Sequence, residues 1–535
     1  MATDEHLTVL PAATGTPDPS TPVTRIQLDS RRVGPGEVWV ALPGQRTHGA
    51  QHAAPALAAP AVAIVTDPAG AEILAAAGDP VDVPVLVTDD PRGTMARFAA
   101  RLQGHPAERL LTFGMTGTTG KTTTTFLLQA ALRAAGHRVG LLGTVGFRVD
   151  DRPLPGVGTT TVTTPESPDL QAILTAMVDE GADSLTMEVS SHALALQRVD
   201  GITFDVAGFT NLGVDHLDFH GDVASYFAVK ATLFTPERAR AAVINIDDEY
   251  GRVLAGNPQL PCTTVSLDDP EGADVGVVEQ RYTDAGREVT FAVDGRRLTG
   301  VVSLPGEHNV RNALLALGML HAAARTGHDI DLAAAVTGFA AAAVPGRMET
   351  VPLPDPPRRK GTAVRPAPRV IVDFAHTAQA VAAAGRALVV PIGVAMNRGS
   401  AAGPVVVVVG AGGDRDHGKR GPIGAAAAGA GDIVVVTDDN PRSEDPAVIR
   451  GEVLAGAQQA IDAGARATRA VDGGDRRAAI RIALELATPA DAAPGTVLLL
   501  GRGHETHQET ATGREPFSDG AEAVAQWQAI TGAKR

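Results

Sequence analysis

The stretch TFGMTGTTGKTTTTFLL, residues 112–128, constrains this chain more than any other. A short apolar run feeds a glycine–threonine turn, a lysine and then a helical pattern. Gly117 and Gly120 let the backbone curl so that successive N–H groups point inward, Lys121 supplies a charge for β and γ phosphates, and Thr122 offers a hydroxyl to Mg2+. The following helix turns its positive end toward the same phosphates. The strict spacing of a phosphate loop asks for glycine where Met115 stands, and Gly114 lies one residue earlier. ATP binding is therefore expected at Gly117, Thr118, Thr119, Gly120, Lys121, Thr122 and Thr123. The motif alone leaves kinase, ATPase and ligase open.

Strand and helix patterns alternate beyond this loop. SLTMEVSS, DVAGFTNL and AAVINIDD read as buried strands of a parallel sheet covered on both faces. A chain of 535 residues exceeds what one core supports, and three domains are expected. Residues 1–22, rich in Pro, Thr and Asp, read as a loose tail. Residues 23–108 form a small α/β unit, 109–345 the unit that carries the phosphate loop, and 346–535 a last unit. Six prolines between Pro352 and Pro368 make the stretch just past that last boundary extended or looped. In the last unit RVIVDFAH, VVVVVGAGGDRD, DIVVVTDDNPR and TVLLLGRGHE are apolar strands that end in polar loops. Ligands of open α/β sheets sit at such carboxyl ends, so these four loops are the expected site wall. GAGGDR is not a dinucleotide fingerprint, because Arg415 stands where the third glycine belongs.

Charge and composition narrow the partners. A net charge of −15 repels polyanions, so no nucleic-acid partner is expected, and local positive groups must hold any anionic ligand. The single cysteine, Cys262, excludes an internal disulfide framework and fits a reducing compartment. No apolar run approaches the ~18 residues of a membrane span, and the opening residues lack a signal-peptide pattern. A cytoplasmic monomer without membrane insertion is expected.

The order of motifs along the chain supplies the rest. TGTTGKTT, TTP at Thr163–Pro165, MEVSSHAL, FTNLGVDHLDFHGD, YFAVKATLF, PGEHNVRNALLAL, PGRME, VDFAH and GAGGDRDHGKR follow one another from about residue 26 to 520. In that order they resemble the Mur ligases, ATP-dependent amide-forming enzymes of peptidoglycan precursor synthesis. The resemblance implies a three-domain α/β architecture: a UDP-sugar-binding N-terminal domain, a central P-loop parallel-sheet domain and a Rossmann-like C-terminal domain. It also implies residue roles. Lys121, Glu188, His216 and Lys230 correspond to catalytic positions, with Thr122, Glu188, His216 and Lys230 toward Mg2+, the last as a carbamate formed with CO2. A carbamate turns a lysine cation into an anionic ligand, and its formation requires the neutral amine. Asn309 and Asn312, three apart on one helix face, match adenine contacts. Arg347 matches a phosphate contact and Asp373 a ribose contact. The family often continues VDFAH with Thr-Pro-Asp, whereas Ala378 and Gln379 follow Thr377 here. Ser30, Thr163, Thr164, Ser190 and Arg198 match groups that hold the UDP-sugar peptide.

The stretch DDNPR, Asp438–Arg442, looks like that of family members that add meso-diaminopimelate to UDP-N-acetylmuramoyl-L-alanyl-D-glutamate. Meso-diaminopimelate carries a carboxylate at its far end that lysine lacks, and a planar guanidinium grips such a group with two parallel hydrogen bonds. Arg442 is the expected reader, with Arg415, Asp439, Asn440, Pro441, Gly501 and Glu505 as further contacts; Glu505 suits an ammonium. The alternatives are lysine addition or a folylpolyglutamate-type reaction on the same scaffold, or a nucleotide-binding regulatory protein without ligase activity.

Overall fold

The computed structural model describes residues 8–10, 21–44, 46–59, 61–77, 81–155, 162–283, 285–356, 366–396, 403–414, 416–489 and 493–532. The chain divides into two compact units. One comprises Met1–Val278, Thr290–Leu298 and Leu314–Gly338, the other Glu279–Val289, Thr299–Ala313 and Phe339–Arg535. Parts of the stretch 109–345, read above as one piece, thus fall in each unit.

The first unit holds two sheets. In the smaller, strands Arg25–Gln27, Glu37–Ala41, Ala63–Thr66 and Val85–Val87 run parallel in that order, and Thr8–Leu10 pairs antiparallel with Val85–Val87. The expectation of a loose tail over 1–22 fails at Thr8–Leu10, where an extended backbone completes the ladder of an otherwise open edge. Alternation decides which residues face which side. Val38, Val40, Ala63 and Val65 pack into one cluster, and Trp39, Ala41 and Ile64 into another.

The larger sheet places the phosphate-loop strand, Leu111–Thr116, between Ser184–Glu188 and Phe204–Phe209, all parallel. Val139–Gly143 lies beyond Ser184–Glu188, while Ala239–Asn245 and then Cys262–Ser266 lie beyond Phe204–Phe209, again parallel. Every residue of Leu111–Thr116, Ser184–Glu188 and Phe204–Phe209 is buried, as strands covered on both faces must be. Because the three neighbours point the same way, the loops after Thr116, Glu188 and Phe209 emerge side by side. Helix Lys121–Ala134 starts directly at the loop and is followed by Gly136 at φ +95°.

The second unit is built on a six-stranded sheet. Its parallel strands run in the order Arg369–Asp373, Thr496–Leu500, Val405–Val409, Ile433–Val436 and Arg469–Asp472, and Glu349–Val351 adds an antiparallel edge. Odd and even positions of one strand serve opposite cores: Val405, Val407 and Val409 belong to one cluster, Val406 and Val408 to the other. The four strand ends picked out by sequence, Asp373, Leu500, Val409 and Val436, are consecutive neighbours here. Helix Asp519–Thr531 closes one face through Trp527, fully buried, whose indole N–H donates to Pro354 O at 2.9 Å. Trp527→Ala removes both the packed ring and that bond. It is expected to lower the stability of this unit by about 3–5 kcal/mol, read as an earlier urea midpoint.

Candidate active site

The phosphate loop is locked from one side by the next strand end. Thr119 donates through its N–H and its hydroxyl to Asn211 Oδ1, at 3.1 and 3.0 Å, and the Asn211 amide donates back to Thr119 O at 3.1 Å. Thr210 Oγ1 donates to the same carbonyl at 2.7 Å. Gly117 sits at φ +146°, and a Cβ there would fall 1.8 Å from Thr210 Oγ1. Only glycine allows this conformation and this approach.

On the other side lies Glu188. Its buried carboxylate accepts from Thr122 Oγ1 at 2.9 Å, Thr144 N at 2.8 Å and Thr144 Oγ1 at 3.1 Å. Among the described residues its partners are hydroxyls and an amide, and no ion pair reaches it. A buried carboxylate in that state suits a cation. The oxygens of Thr122 and Glu188 are hard donors of the kind Mg2+ prefers. No group of three or more His, Cys, Asp or Glu among the described residues could hold a metal without other ligands. Thr144 went unnoticed in the sequence because only the pairing of Val139–Gly143 with Ser184–Glu188 brings it to the site.

Two lysines converge on one carbonyl. Lys121 Nζ donates to Gly117 O at 2.9 Å and to Thr118 O at 3.1 Å, and Lys230 Nζ donates to Gly117 O at 2.8 Å. Lys230, on helix Val223–Ala231, is buried and lies 4.5 Å from the centroid of the Tyr226 ring. Desolvation, and then the charge of Lys121, push its ammonium well below the ordinary lysine range. His216 sits at φ +55°, with its ring 5.0 Å from His192 and 6.4 Å from Tyr226. Burial pushes its imidazole down to about 4, assisted by His192, Lys121 and Lys230 and opposed by Asp215, so the ring is neutral at pH 7 with a lone pair to offer. His192 and His220 join this cluster, His220 Nε2 lying 2.9 Å from Ser191 Oγ.

The expected sugar-peptide residues are engaged within the protein. Thr164 Oγ1 donates to Glu188 O at 2.9 Å and accepts from Ser190 N at 3.3 Å, and Thr144 Oγ1 lies 3.3 Å from Thr163 Oγ1. The Ser190 side chain caps the helix that starts at Ser191. Arg198 grips Glu166 through Nε at 2.9 Å and donates from Nη1 to Thr164 O at 3.1 Å. Ser30 is buried in a short turn capped by Asp29, between strands Arg25–Gln27 and Glu37–Ala41 of the smaller sheet.

In the second unit Asn309 and Asn312 are buried and hydrogen-bonded to each other at 3.1 Å. Asp373 accepts from Met348 N at 2.8 Å and Ala375 N at 2.9 Å. The Arg347 guanidinium stacks on Phe374, 4.4 Å from the ring centroid. It also borders a cavity of about 760 Å3, whose wall includes Arg287, Ser303 and Arg369.

The DDNPR loop follows strand Ile433–Val436. Asn440 donates to Glu505 Oε2 at 2.9 Å and accepts at Oδ1 from Arg502 Nη1 at 2.9 Å and Glu509 N at 2.8 Å. Gly501, at φ +108°, lets Asp439 close in, since a Cβ would fall 2.4 Å from Asp439 Oδ2. Burial, and then Asp439, push the Glu505 carboxyl above its usual range. Pro441 O accepts from Glu444 N at 3.1 Å, closing the turn. Arg442 holds φ +53°, a conformation a long side chain rarely takes, and donates from Nη1 to Gly413 O at 2.7 Å and from Nε to Glu509 Oε2 at 3.1 Å. Asp438 instead pairs with Arg450. Arg415 lies outside the described residues.

The Mur ligase middle domain matches residues 115–320, and the Mur ligase glutamate ligase domain matches 346–503. The chain is 42% identical over 512 residues to the UDP-N-acetylmuramoyl-L-alanyl-D-glutamate–2,6-diaminopimelate ligase of Streptomyces avermitilis, covering 94% of this chain and 92% of that one. A solved structure of a ligase with the same descriptive name matches with a TM-score of 0.61 at 30% identity, covering 95% of each chain. A Mycobacterium tuberculosis folylpolyglutamate synthase, at 21% identity and a TM-score of 0.56 over 83% of this chain and 96% of that one, shares the fold. The chain belongs to the Mur ligase family and has its three-domain architecture. It is an ATP-dependent, amide-bond-forming ligase. No helix among the described residues is long and apolar enough to cross a membrane.

The depressed Lys230 ammonium makes a stability prediction. Below the unfolded lysine value of 10.5 the unfolded chain binds a proton that the buried amine resists, so the wild type carries a penalty at neutral pH that fades as pH rises toward that value. In metal- and bicarbonate-free buffer, Lys230→Met is expected to melt higher than wild type at pH 7, with the gap closing by about pH 10. Thermal melts across that range measure it.

Proposed function

We propose that the protein joins the γ-carboxylate of the D-glutamyl residue in UDP-N-acetylmuramoyl-L-alanyl-D-glutamate to an amine of meso-diaminopimelate, releasing ADP and phosphate in the cytoplasm. The domains are read as sugar-binding over 23–108, ATP-binding over 109–345 and amino-acid-binding over 346–535. The observation that carries the choice of amino acid is Arg442, which sits on a strained turn two residues after Asn440, with its guanidinium held by Gly413 O and Glu509. The specificity named for the Streptomyces relative supports the same choice.

A carboxylate is a poor acyl donor. The glutamyl oxygen therefore attacks the γ-phosphorus as the bond to ADP breaks, giving an acyl phosphate; the amine adds to its carbonyl, and phosphate leaves from the tetrahedral intermediate. Lys121 and the amides of residues 117–123 hold the phosphates and stabilise the charge that develops on them. Thr122 and Glu188, as hard oxygen donors, would hold Mg2+. Bound there, Mg2+ would screen the two anions that must meet. Lys230 suits carbamylation because its neutral amine is favoured, and the carbamate with neutral His216 would hold a second Mg2+. Asn309 and Asn312 contact adenine, Asp373 the ribose and Arg347 a phosphate. Ser30, Thr163, Thr164, Ser190 and Arg198 hold the sugar peptide. Arg442 grips the distal carboxylate of diaminopimelate, with Arg415, Asp439, Asn440, Pro441 and Gly501 around it and Glu505 facing an ammonium.

ADP release tests the reading. It is expected only when the muramoyl dipeptide and diaminopimelate are both present. Arg442→Ala is expected to cut kcat/KM for diaminopimelate by at least about 100-fold, since a recognition group left unpaired discriminates strongly. Undiminished diaminopimelate use by that variant would overturn the assignment. A preference for lysine, or for glutamate on a folate, would move the protein to another specificity. ATP hydrolysis without the amine would favour the regulatory alternative.

A further inference from the structure

A short hairpin that the reaction as described does not use reaches the DDNPR loop. Strands His507–Thr510 and Gly513–Pro516 pair antiparallel, with Glu509 opposite Arg514. Five bonds stitch its first strand into the site. Glu509 N donates to Asn440 Oδ1 at 2.8 Å, Arg442 N donates to Glu509 O at 3.1 Å, and Gln508 Nε2 donates to Asp439 O at 2.5 Å. Arg502 Nη2 donates to His507 O at 2.6 Å, and Arg442 Nε donates to the Glu509 carboxylate at 3.1 Å. Four of the five involve backbone atoms and tether the strand. The fifth acts on the guanidinium itself.

A guanidinium carries five N–H groups in one plane. In Arg442 the Nε–H is taken by Glu509 and one Nη1–H by Gly413 O. Those two anchors, on opposite sides of the fork, fix the plane. Among the described residues Nη2 makes no hydrogen bond, so its side of the guanidinium remains for an arriving carboxylate. Glu509 also lies 4.0 Å from Arg514, so its charge is shared between two arginines and its pull on Arg442 is moderated. We propose that Glu509 is a positioning and specificity-determining residue: by accepting from Arg442 Nε it aims the free edge of the guanidinium at the distal carboxylate of the incoming diamino acid. The proposal rests on the reading of Arg442 given above. Glu509 itself need not touch the substrate.

Steady-state kinetics with diaminopimelate and with L-lysine, on wild type, Glu509→Ala, Glu509→Gln, Arg442→Ala and the double variant, tests it. Glu509→Ala is expected to raise KM for diaminopimelate about tenfold with kcat and KM for ATP within about twofold, because misorientation weakens recognition rather than chemistry. The ratio of diaminopimelate to lysine use falls with it. Glu509→Gln keeps an acceptor for Nε–H and stays within about threefold of wild type. In the Arg442→Ala background, Glu509→Ala adds nothing. Should Glu509→Ala not fold, Glu509→Met, which keeps the stem and lacks the acceptor, carries the same expectation. An unchanged KM in the folded variant while Arg442→Ala has lost diaminopimelate use overturns the role of Glu509 and leaves that of Arg442. Undiminished activity in Arg442→Ala removes the reading beneath both. Equal losses in the Gln and Ala variants overturn orientation as the mechanism.

Discussion

A phosphate-binding curl with no room for a side chain organises the first unit. Gly117 can hold φ +146° only against a strand end that presents Thr210 in place of bulk. That strand end is adjacent because the sheet is parallel, and parallel order also brings Glu188 to the other side of the loop. The nucleotide loop, its lock and the buried carboxylate therefore need no long-range coincidence. They are three consecutive strand ends of one sheet. The same geometry crowds two lysines onto the carbonyl of Gly117, and the crowding together with burial favours the neutral amine at Lys230, which leaves Lys121 as the charge for a polyphosphate.

Buried charge is handled differently in the two units. In the first, Glu188 is met among the described residues by hydroxyls and an amide rather than by a cationic side chain, which leaves that place to a bound cation. In the second, Arg476 and Asp519 are fully buried and face each other through a two-point fork at 2.9 and 2.6 Å. Arg476 also donates to Leu500 O at 2.8 Å and so fixes the strand end that leads into Gly501. A closed pair of this kind gives little net stability, whereas removing one partner strands the other, which makes it a registration device for the loop it carries.

The parts legible in the sequence were those whose signal is local. The curl at 117–123 announces itself by glycine spacing, and the buried parallel strands by unbroken apolar runs ending in polar loops. The strand ends at Asp373, Val409, Val436 and Leu500 could be named in advance, although their order in the sheet could not. What escaped depends on pairing between distant segments. Thr144 lies 44 residues from Glu188 in the chain and meets it only through strand register. Thr8–Leu10 looks like a tail until the edge of Val85–Val87 needs a partner. The hairpin over 507–516 has polar strands without an apolar face, so no periodicity marks it, and the Glu509 contact with Arg442 spans 67 residues. The left-handed backbone at Arg442 runs against the preference of its side chain and was invisible for that reason.

An amino-acid pocket in the proposed reaction has to receive both signs of charge at once, and the second unit is arranged for that. Asp439 and Glu505 lie close enough that burial and then their mutual repulsion push the Glu505 carboxyl up. Arg502 and Arg476 oppose the shift without cancelling it. An arriving ammonium lowers the cost of keeping Glu505 ionised, and a distal carboxylate fills the open edge of Arg442. A substrate with only the ammonium answers one need and leaves the guanidinium edge unmatched. In the proposed reaction, selectivity for a diamino diacid would then rest on two electrostatic demands, one at Glu505 and one at Arg442, more than on pocket size.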